Sequence, residues 1–286
     1  MNISETSVKN ILARTTGFLT TVASHSAQPY RGCSFGNALC GVACYVQHNV
    51  YVTEGRPWGS FLEIRKNAAA AYLANVKRER SWARRARGRF GVFLSSSTEP
   101  FLPQETHCRI TEQLLKAMAE EPPDLMILQT HTHGVVEYLD LYRRLQSRCE
   151  LRVHISIETD MESIPGLASH ASSVARRLHA AKTLTDDGIR TVITVSPLLP
   201  IREPSCFFDR ISECADAVVI DHFIEGDGTP DGRRTLQTHL PSVMAAVEPR
   251  SINLSYLDEI VHTARQIMGA NRVGVNIDGF AGRYLP

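Results

Sequence analysis

Short runs of β-branched and aliphatic residues alternate along this chain with longer amphipathic runs, and no other feature restricts its fold as much. The strand-like runs are FGVFLSS (90 to 96), DLMILQT (124 to 130), LRVHISI (151 to 157), IRTVITVS (189 to 196), DAVVIDHF (216 to 223) and RVGVNID (272 to 278). Helix-like runs fall around 58 to 87, 104 to 120, 135 to 148, 169 to 187 and 254 to 268, and Gly188 stands where one of them needs a left-handed C-cap. Near-continuous apolar strands separated by helices of this length predict a parallel sheet with helices on its outer face. Adding TGFLTTVAS (16 to 24) as a first strand brings the count to six or seven, while 225 to 253 reads as loop and cap. A closed eightfold barrel has no room in that pattern, so an incomplete α/β barrel is expected. No Pro/Gly/Ser-rich linker interrupts it, and the whole of 1 to 286 reads as one domain.

In such a barrel the loops leaving the C-terminal ends of the strands build the active site. The loop after the first strand, QPYRGCSFGNALCGVACYVQHN (28 to 49), holds Cys33, Cys40 and Cys44, three of the chain's 7 cysteines. Thr98-Glu99-Pro100, Thr130-His131-Thr132-His133, Ile157-Glu158-Thr159, Ser196-Pro197 and Asp221-His222 fall at other strand exits. The start, MNISETSVKN, has neither the basic patch nor the apolar run of a signal peptide, and no apolar stretch reaches membrane-spanning length. A cytoplasmic protein with no membrane partner is therefore expected. In that reducing compartment clustered thiols bind metal or do redox chemistry, and an odd number cannot all pair. Cys108, Cys149, Cys206 and Cys214 are scattered and read as small apolar residues.

Thiolates hold zinc or iron–sulfur clusters. His48 could complete a Cys3His zinc site with Cys33, Cys40 and Cys44, although the two close Cys pairs usual in structural zinc sites are missing. Three thiolates on a [4Fe-4S] cluster would leave one iron open to a small molecule that carries an amine and a carboxylate. The third reading is three packing cysteines. Spacing alone leaves all three open.

The net charge of +1 excludes nothing, but KRERSWARRARGR (77 to 89) sets seven basic residues against Glu79. It reads either as a contact for phosphates or acidic substrates, or as a solvated helix end with cations near its C-terminus.

The cysteine loop resembles that of the spore photoproduct lyase-like branch of the radical S-adenosylmethionine (SAM) enzymes. That branch reads Asn-Pro-Tyr-x-Gly-Cys, three residues, Cys, two residues, Cys-Tyr. Pro29-Tyr30-Arg31-Gly32-Cys33 and Cys44-Tyr45 match, with intervals of six and three residues here. RKNAAAAYLANV (65 to 76) resembles the family's Lys-Asn helix start. SSSTEPFLPQETHCRITEQLL (95 to 115) resembles its Ser-x-Thr-Asp-Pro-Tyr-x-Pro-x-Glu and the following Leu-Thr-Arg, with Glu99 for Asp and Glu112 for Arg. ISIETD (155 to 160) and SSVARRLHAAKTLTDDGIRTVITVSPLLP (172 to 200) resemble the fourth strand, its helix and the fifth strand. The likeness runs in order over roughly 15 to 224, leaving 225 to 286 as a C-terminal cap or extension.

The resemblance implies a partial (β/α)6 TIM-like barrel with helices outside. It implies a [4Fe-4S] cluster on Cys33, Cys40 and Cys44, SAM on the open iron, and a flavodoxin or ferredoxin as electron donor. It implies reductive cleavage of SAM to methionine and a 5′-deoxyadenosyl radical that takes hydrogen from a substrate. Thr98 and Glu99 match the segment beside the methionyl amine of SAM, Ser156 a strand-four serine, Arg177 a cation for the SAM carboxylate, and Ser196 the meeting of strand five with the cofactor.

On the substrate side the family pattern changes. The hydrogen-returning cysteine of the photoproduct lyase, beside the matched serine, is replaced by Ile155, and Thr-Lys-Ser with a following Arg-Asp reads Thr130-His131-Thr132 with Glu137-Tyr138. A different, small substrate is therefore expected, while the 77 to 89 run leaves nucleic-acid modification open as an alternative. His131, His133, Asp221, His222 and Tyr45 are further candidates to touch substrate. IEGDGTPDGRRTLQTHLP (224 to 241) is a candidate lid, and DGFAGRYLP (278 to 286) a candidate closure of the barrel's open side.

Overall fold

The structure, a computed structural model, describes residues 1–284. Its strands are β1 (Asn2–Thr6), β2 (Leu12–Arg14), β3 (His25–Ala27), β4 (Tyr30–Gly32), β5 (Phe61–Arg65), β6 (Gly91–Leu94), β7 (Leu125–Thr130), β8 (Glu150–Ser156), β9 (Thr191–Val195), β10 (Ala217–Ile220) and β11 (Val273–Val275). Eight form one sheet in the order β11-β10-β9-β8-β7-β6-β3-β2. Neighbours from β3 to β11 are parallel, and β2 adds an antiparallel edge. The six apolar runs are β6 to β11, which bears out the expected α/β architecture with parallel strands and helices outside.

Alternation along the strands explains the layering, because successive side chains leave opposite faces. Val92, Leu94, Met126, Leu128, Val153, Ile155, Ile193 and Val195 pack outward with residues of the covering helices. Phe93, Leu125, Ile127, Val192, Ala217 and Val219 fill the inner side, where Phe280 joins them. This curved sheet does not close on itself. Its seam is bridged by Phe18, in the 3-10 helix Gly17–Thr21, which meets Phe280, in the helix Asn276–Phe280, edge to face at 5.8 Å. The closure expected of 278 to 286 thus holds for its described part; Leu285 and Pro286 lie outside the described residues.

Two expectations are corrected. Residues 16 to 24 are not a strand: Gly17 has φ +57°, the next residues form the 3-10 turn, and the first parallel strand is β3, one residue beyond that run. Phe18 and Leu19 are apolar because they face the seam, not because they belong to the sheet. A small sheet, β1-β5-β4, was not expected, and it takes β5 from the run read as helix. It frames the cysteine loop, since β4 ends at Gly32, next to Cys33.

The helix Ala68–Arg87 begins at Asn67, whose side chain bonds both the N–H and the C=O of Val8 at 2.9 Å. Gly188, at φ +75°, follows the helix Val174–Asp186 as expected. The basic run 77 to 89 is partly paired: Arg80 pairs with Glu121 at 3.0 Å, Arg84 with Asp124 at 2.6 Å and Arg89 with Glu150 at 3.1 Å. Asp124 and Glu150 mark the N-terminal ends of β7 and β8, so these charges clamp the end of the barrel away from the strand exits. Among the described residues no helix is long and apolar enough to cross a membrane.

Candidate functional site

The strand exits surround one cavity of about 310 Å³. Ser95 to Glu99 follow β6, His131 follows β7, Ser156 and Glu158 end β8, Ser196 follows β9 and Asp221 follows β10; all of them line it, together with Cys33, Cys40 and Cys44. Seven of the eight residues expected to serve cluster or cofactor therefore share one wall.

The cysteine loop reaches this wall by folding back on itself. Cys33 follows β4, Cys40 lies in the short helix Leu39–Val42, and Cys44 precedes the 3-10 helix Tyr45–His48. A Cβ added to Gly36 would stand 2.2 Å from the Gly59 Cα, so two bare backbones cross there. Thr98 donates from its Oγ1 to Gly32 O at 2.7 Å, tying the β6 exit to the residue before Cys33. Tyr30 bonds Glu105 through its hydroxyl, and Glu105 also caps the next helix by accepting from the N–H of Ile110, Thr111 and Glu112. Two matched motif positions thus hold each other.

The thiols carry no disulfide. Burial pushes Cys33 up to about 12, against hydrogen bonds from the Phe35 and Glu99 backbone, and Cys44 up to about 11, against those from Val46 and Gln47. Cys40 is raised well above the usual thiol range by burial, then by Glu158, Cys33, Glu99 and Cys44. Three thiols that oppose one another's ionisation with no cation beside them suit a positively charged metal group, whose binding takes the thiol protons away. Backbone N–H groups aimed at sulfur are also what tunes an iron–sulfur site. Among the described residues, no three His, Cys, Asp or Glu side chains stand close enough to share one metal ion. A single zinc would need all its ligands within about 2.3 Å of one point, whereas cluster thiolates bind different irons. His48 faces Arg234 and Asp227 and does not line the cavity. The fourth ligand of the Cys3His zinc alternative, His48, thus stands away from the wall that the three thiols share.

Two carboxylates flank His131. Glu99 accepts from Phe101 N at 3.0 Å, Thr130 Oγ1 at 2.6 Å and His131 N at 2.8 Å. Glu158 lies 3.4 Å from His131 Nε2 and 2.9 Å from Arg177 Nη1. Burial works to raise the Glu158 carboxyl, but Arg177 and His131 outweigh it and hold it near about 2. Arg177 itself is buried, absent from the cavity wall, and committed to Glu158, the Ser156 carbonyl and His170. Ser156 Oγ, Gln129 Nε2 and Thr194 Oγ1 form a closed triangle with sides of 2.5 to 2.9 Å. Ser196 Oγ donates to Asp221 Oδ2 at 2.9 Å.

Among the other polar candidates, Tyr45, His131 and Asp221 line the cavity; His133 bonds Ser172, and His222 bonds the Ser251 carbonyl. Ile155 faces the helices, so a side chain at 155 does not reach the cavity, and among the described residues no cysteine beyond the loop's three lines it. Gly226, Asp227, Gly228 and Thr235 bring the segment expected as a lid to the cavity wall. Glu158 was expected only as one of the polar groups at a strand exit, and Gln129 was not among the expected site residues. Its available signal was a polar side chain beside Thr130 at the end of the apolar run LMIL.

No family model matches the chain. An uncharacterized protein of Methanocaldococcus jannaschii is 19% identical over 245 residues, covering 85% of this chain and 87% of that one. Solved structures of spore photoproduct lyase share the fold. A cysteine-to-serine mutant of it superposes with a TM-score of 0.60 at 15% identity, over 96% of this chain and 81% of that one. Another mutant, with bound AdoMet and dinucleoside spore photoproduct, gives 0.57 at 13% identity over the same shares.

Proposed function

We propose that this chain, folded as spore photoproduct lyase is, is a radical SAM enzyme that works on a small substrate enclosed at the strand exits. The observation that carries this reading is the convergence of Cys33, Cys40 and Cys44 on one cavity whose remaining wall is largely apolar, with a few polar groups set into it, some of them unpartnered. In this reading the three thiolates would hold a [4Fe-4S] cluster, with SAM beside it at the strand exits. When bound, cluster and SAM would together supply reductive cleavage of SAM, with the electron coming from an external donor through the cluster, so that hydrogen could be taken from a substrate in this cavity.

The chain's own groups have separate tasks. Glu99 has three of its four acceptor positions filled and keeps one for the methionyl ammonium. Thr98 steadies the start of the cysteine loop. Ser156 and Ser196 present hydroxyls beside SAM, each held by a partner. Arg177 acts through Glu158, which it keeps ionised at the wall, rather than by meeting SAM itself. Phe18, Phe93 and Phe280 exclude water from a radical. A flavodoxin or ferredoxin in a reducing cytoplasm serves as electron donor, and 1 to 286 works as one domain, with 225 to 286 giving it a strand, a rim and a seam.

Anaerobic reconstitution tests this reading. Wild-type protein should turn brown and take up four irons and four sulfides per chain, as a [4Fe-4S] cluster requires; a colourless protein without iron would end it.

A further inference from the structure

Of the buried carboxyls at the strand exits on this cavity, Glu158 and Asp221 differ most in their surroundings: one has a counter-charge and the other has none. Glu158, after β8, has Arg177 and His131. Asp221, after β10, has the Ser196 hydroxyl on Oδ2; among the described residues Oδ1 has no hydrogen-bond partner and the one charged group acting on the carboxyl is Glu225, of the same sign. Burial raises this carboxyl to about 7. The residue is 4% exposed and lines the cavity.

The chain spends two local features on keeping it there. The Asp221 carbonyl accepts from Leu198 N at 2.7 Å and its N–H donates to Val195 O at 3.0 Å, so its backbone is pinned to the β9 exit. Gly226 covers the carboxyl so closely that a Cβ would stand 2.6 Å from Oδ2. An unpaired buried carboxyl is costly and is not kept for stability.

We infer that Asp221 anchors a cationic, N–H-donating group of the substrate, such as a protonated amine, whose apolar body lies against Phe18, Phe93 and Phe280. This rests on the cavity being the reaction chamber. The expected class is a small apolar or aromatic amine. Ammonium binding would ionise the carboxyl, give Oδ1 its partner and leave the Glu158–Arg177 pair undisturbed. A carboxylate at the same end would meet a like charge, and a neutral hydroxyl would leave the ionised form uncompensated.

The experiment compares benzylamine, benzyl alcohol and benzoate by calorimetric titration of the reconstituted full chain at pH 7.5, without SAM. A benzene-sized body fits, since a cavity of about 150 Å³ already accepts benzene. A charge-assisted bond predicts benzylamine binding about 10- to 100-fold tighter than benzyl alcohol, with benzoate weakest. Asp221→Asn should remove that margin and leave benzyl alcohol binding unchanged. Gly226→Ala, which displaces the carboxyl while keeping its charge, should reduce the margin too. Benzylamine binding no tighter than benzyl alcohol in the wild type, or a margin that survives Asp221→Asn, overturns the inference. Because SAM is absent, failure here leaves SAM cleavage untouched, and a chain that never cleaves SAM can still pass this test.

Discussion

Arg177 Nη1 lies 2.9 Å from Glu158 Oε2, with both side chains 2% exposed or less, so a buried ion pair stands directly behind the cavity wall. Removing one partner of such a pair strands the other's charge and typically costs about 3–5 kcal/mol. Arg177→Met should therefore lower the urea midpoint strongly, and adding Glu158→Gln to it should recover most of the loss. Equal damage from the single and double variants would contradict a pair held together by charge.

The same pair sets an acid limit. The Glu158 carboxyl sits at about 2 in the folded chain against 4.5 unfolded, so its stabilisation is full above pH 4.5 and is lost as pH falls towards 2. Chemical denaturation across that window should show wild-type stability dropping faster than that of Glu158→Gln. Parallel curves would remove Glu158 as the cause.

Asp221 works in the opposite direction. Its folded value near 7 lies above 3.8 unfolded, so the folded chain binds the extra proton between those values, and its contribution is full below pH 3.8 and lost as pH rises through about 7. Asp221→Asn should be more stable than wild type at pH 8 by roughly 2–4 kcal/mol, at 1.36 kcal/mol per unit, and the gain should shrink at pH 5. A variant less stable than wild type at pH 8 would show that the carboxyl has a cationic partner in the folded chain.

Cysteine identity separates the thiols. Cys33→Ala, Cys40→Ala and Cys44→Ala should each fail to hold iron after reconstitution, while Cys206→Ser, at an exposed position, should match wild type. Iron and sulfide per chain report this directly. Full iron in any of the three loop variants would exclude that thiol as a ligand.

The seam depends on an aromatic contact. Phe280→Ala removes a largely buried ring that meets Phe18 and should cost about 3–5 kcal/mol in denaturant unfolding. It should also let a fluorescent apolar dye enter the barrel. A change below about 1 kcal/mol would mean that the seam closes without that ring.

The sequence told most about parts of the chain whose burial is uniform. β6 to β10 are buried on both faces, so their apolar runs announced them, and the strand exits then followed from fold geometry. β1 escaped notice because its residues are nearly all exposed and polar, and β3 because three residues with a His at the start leave no pattern. Phe18 and Leu19 imitated a strand for a reason that exists only in three dimensions, the seam with Phe280. The cysteine loop was legible as a cluster of thiols. Arg177 was legible as a cation but not as one spent on Glu158, because that pairing joins a helix to a strand exit 19 positions away. Asp221 was readable as a polar residue at a strand end; its lack of a counter-charge was not, since that depends on every neighbour at once.

The account stands on SAM being split at this cavity. Anaerobically reconstituted protein given SAM and dithionite should release 5′-deoxyadenosine, identified by mass, and Cys40→Ala should release none. Intact SAM with a fully loaded cluster would contradict the account and leave only the shared fold.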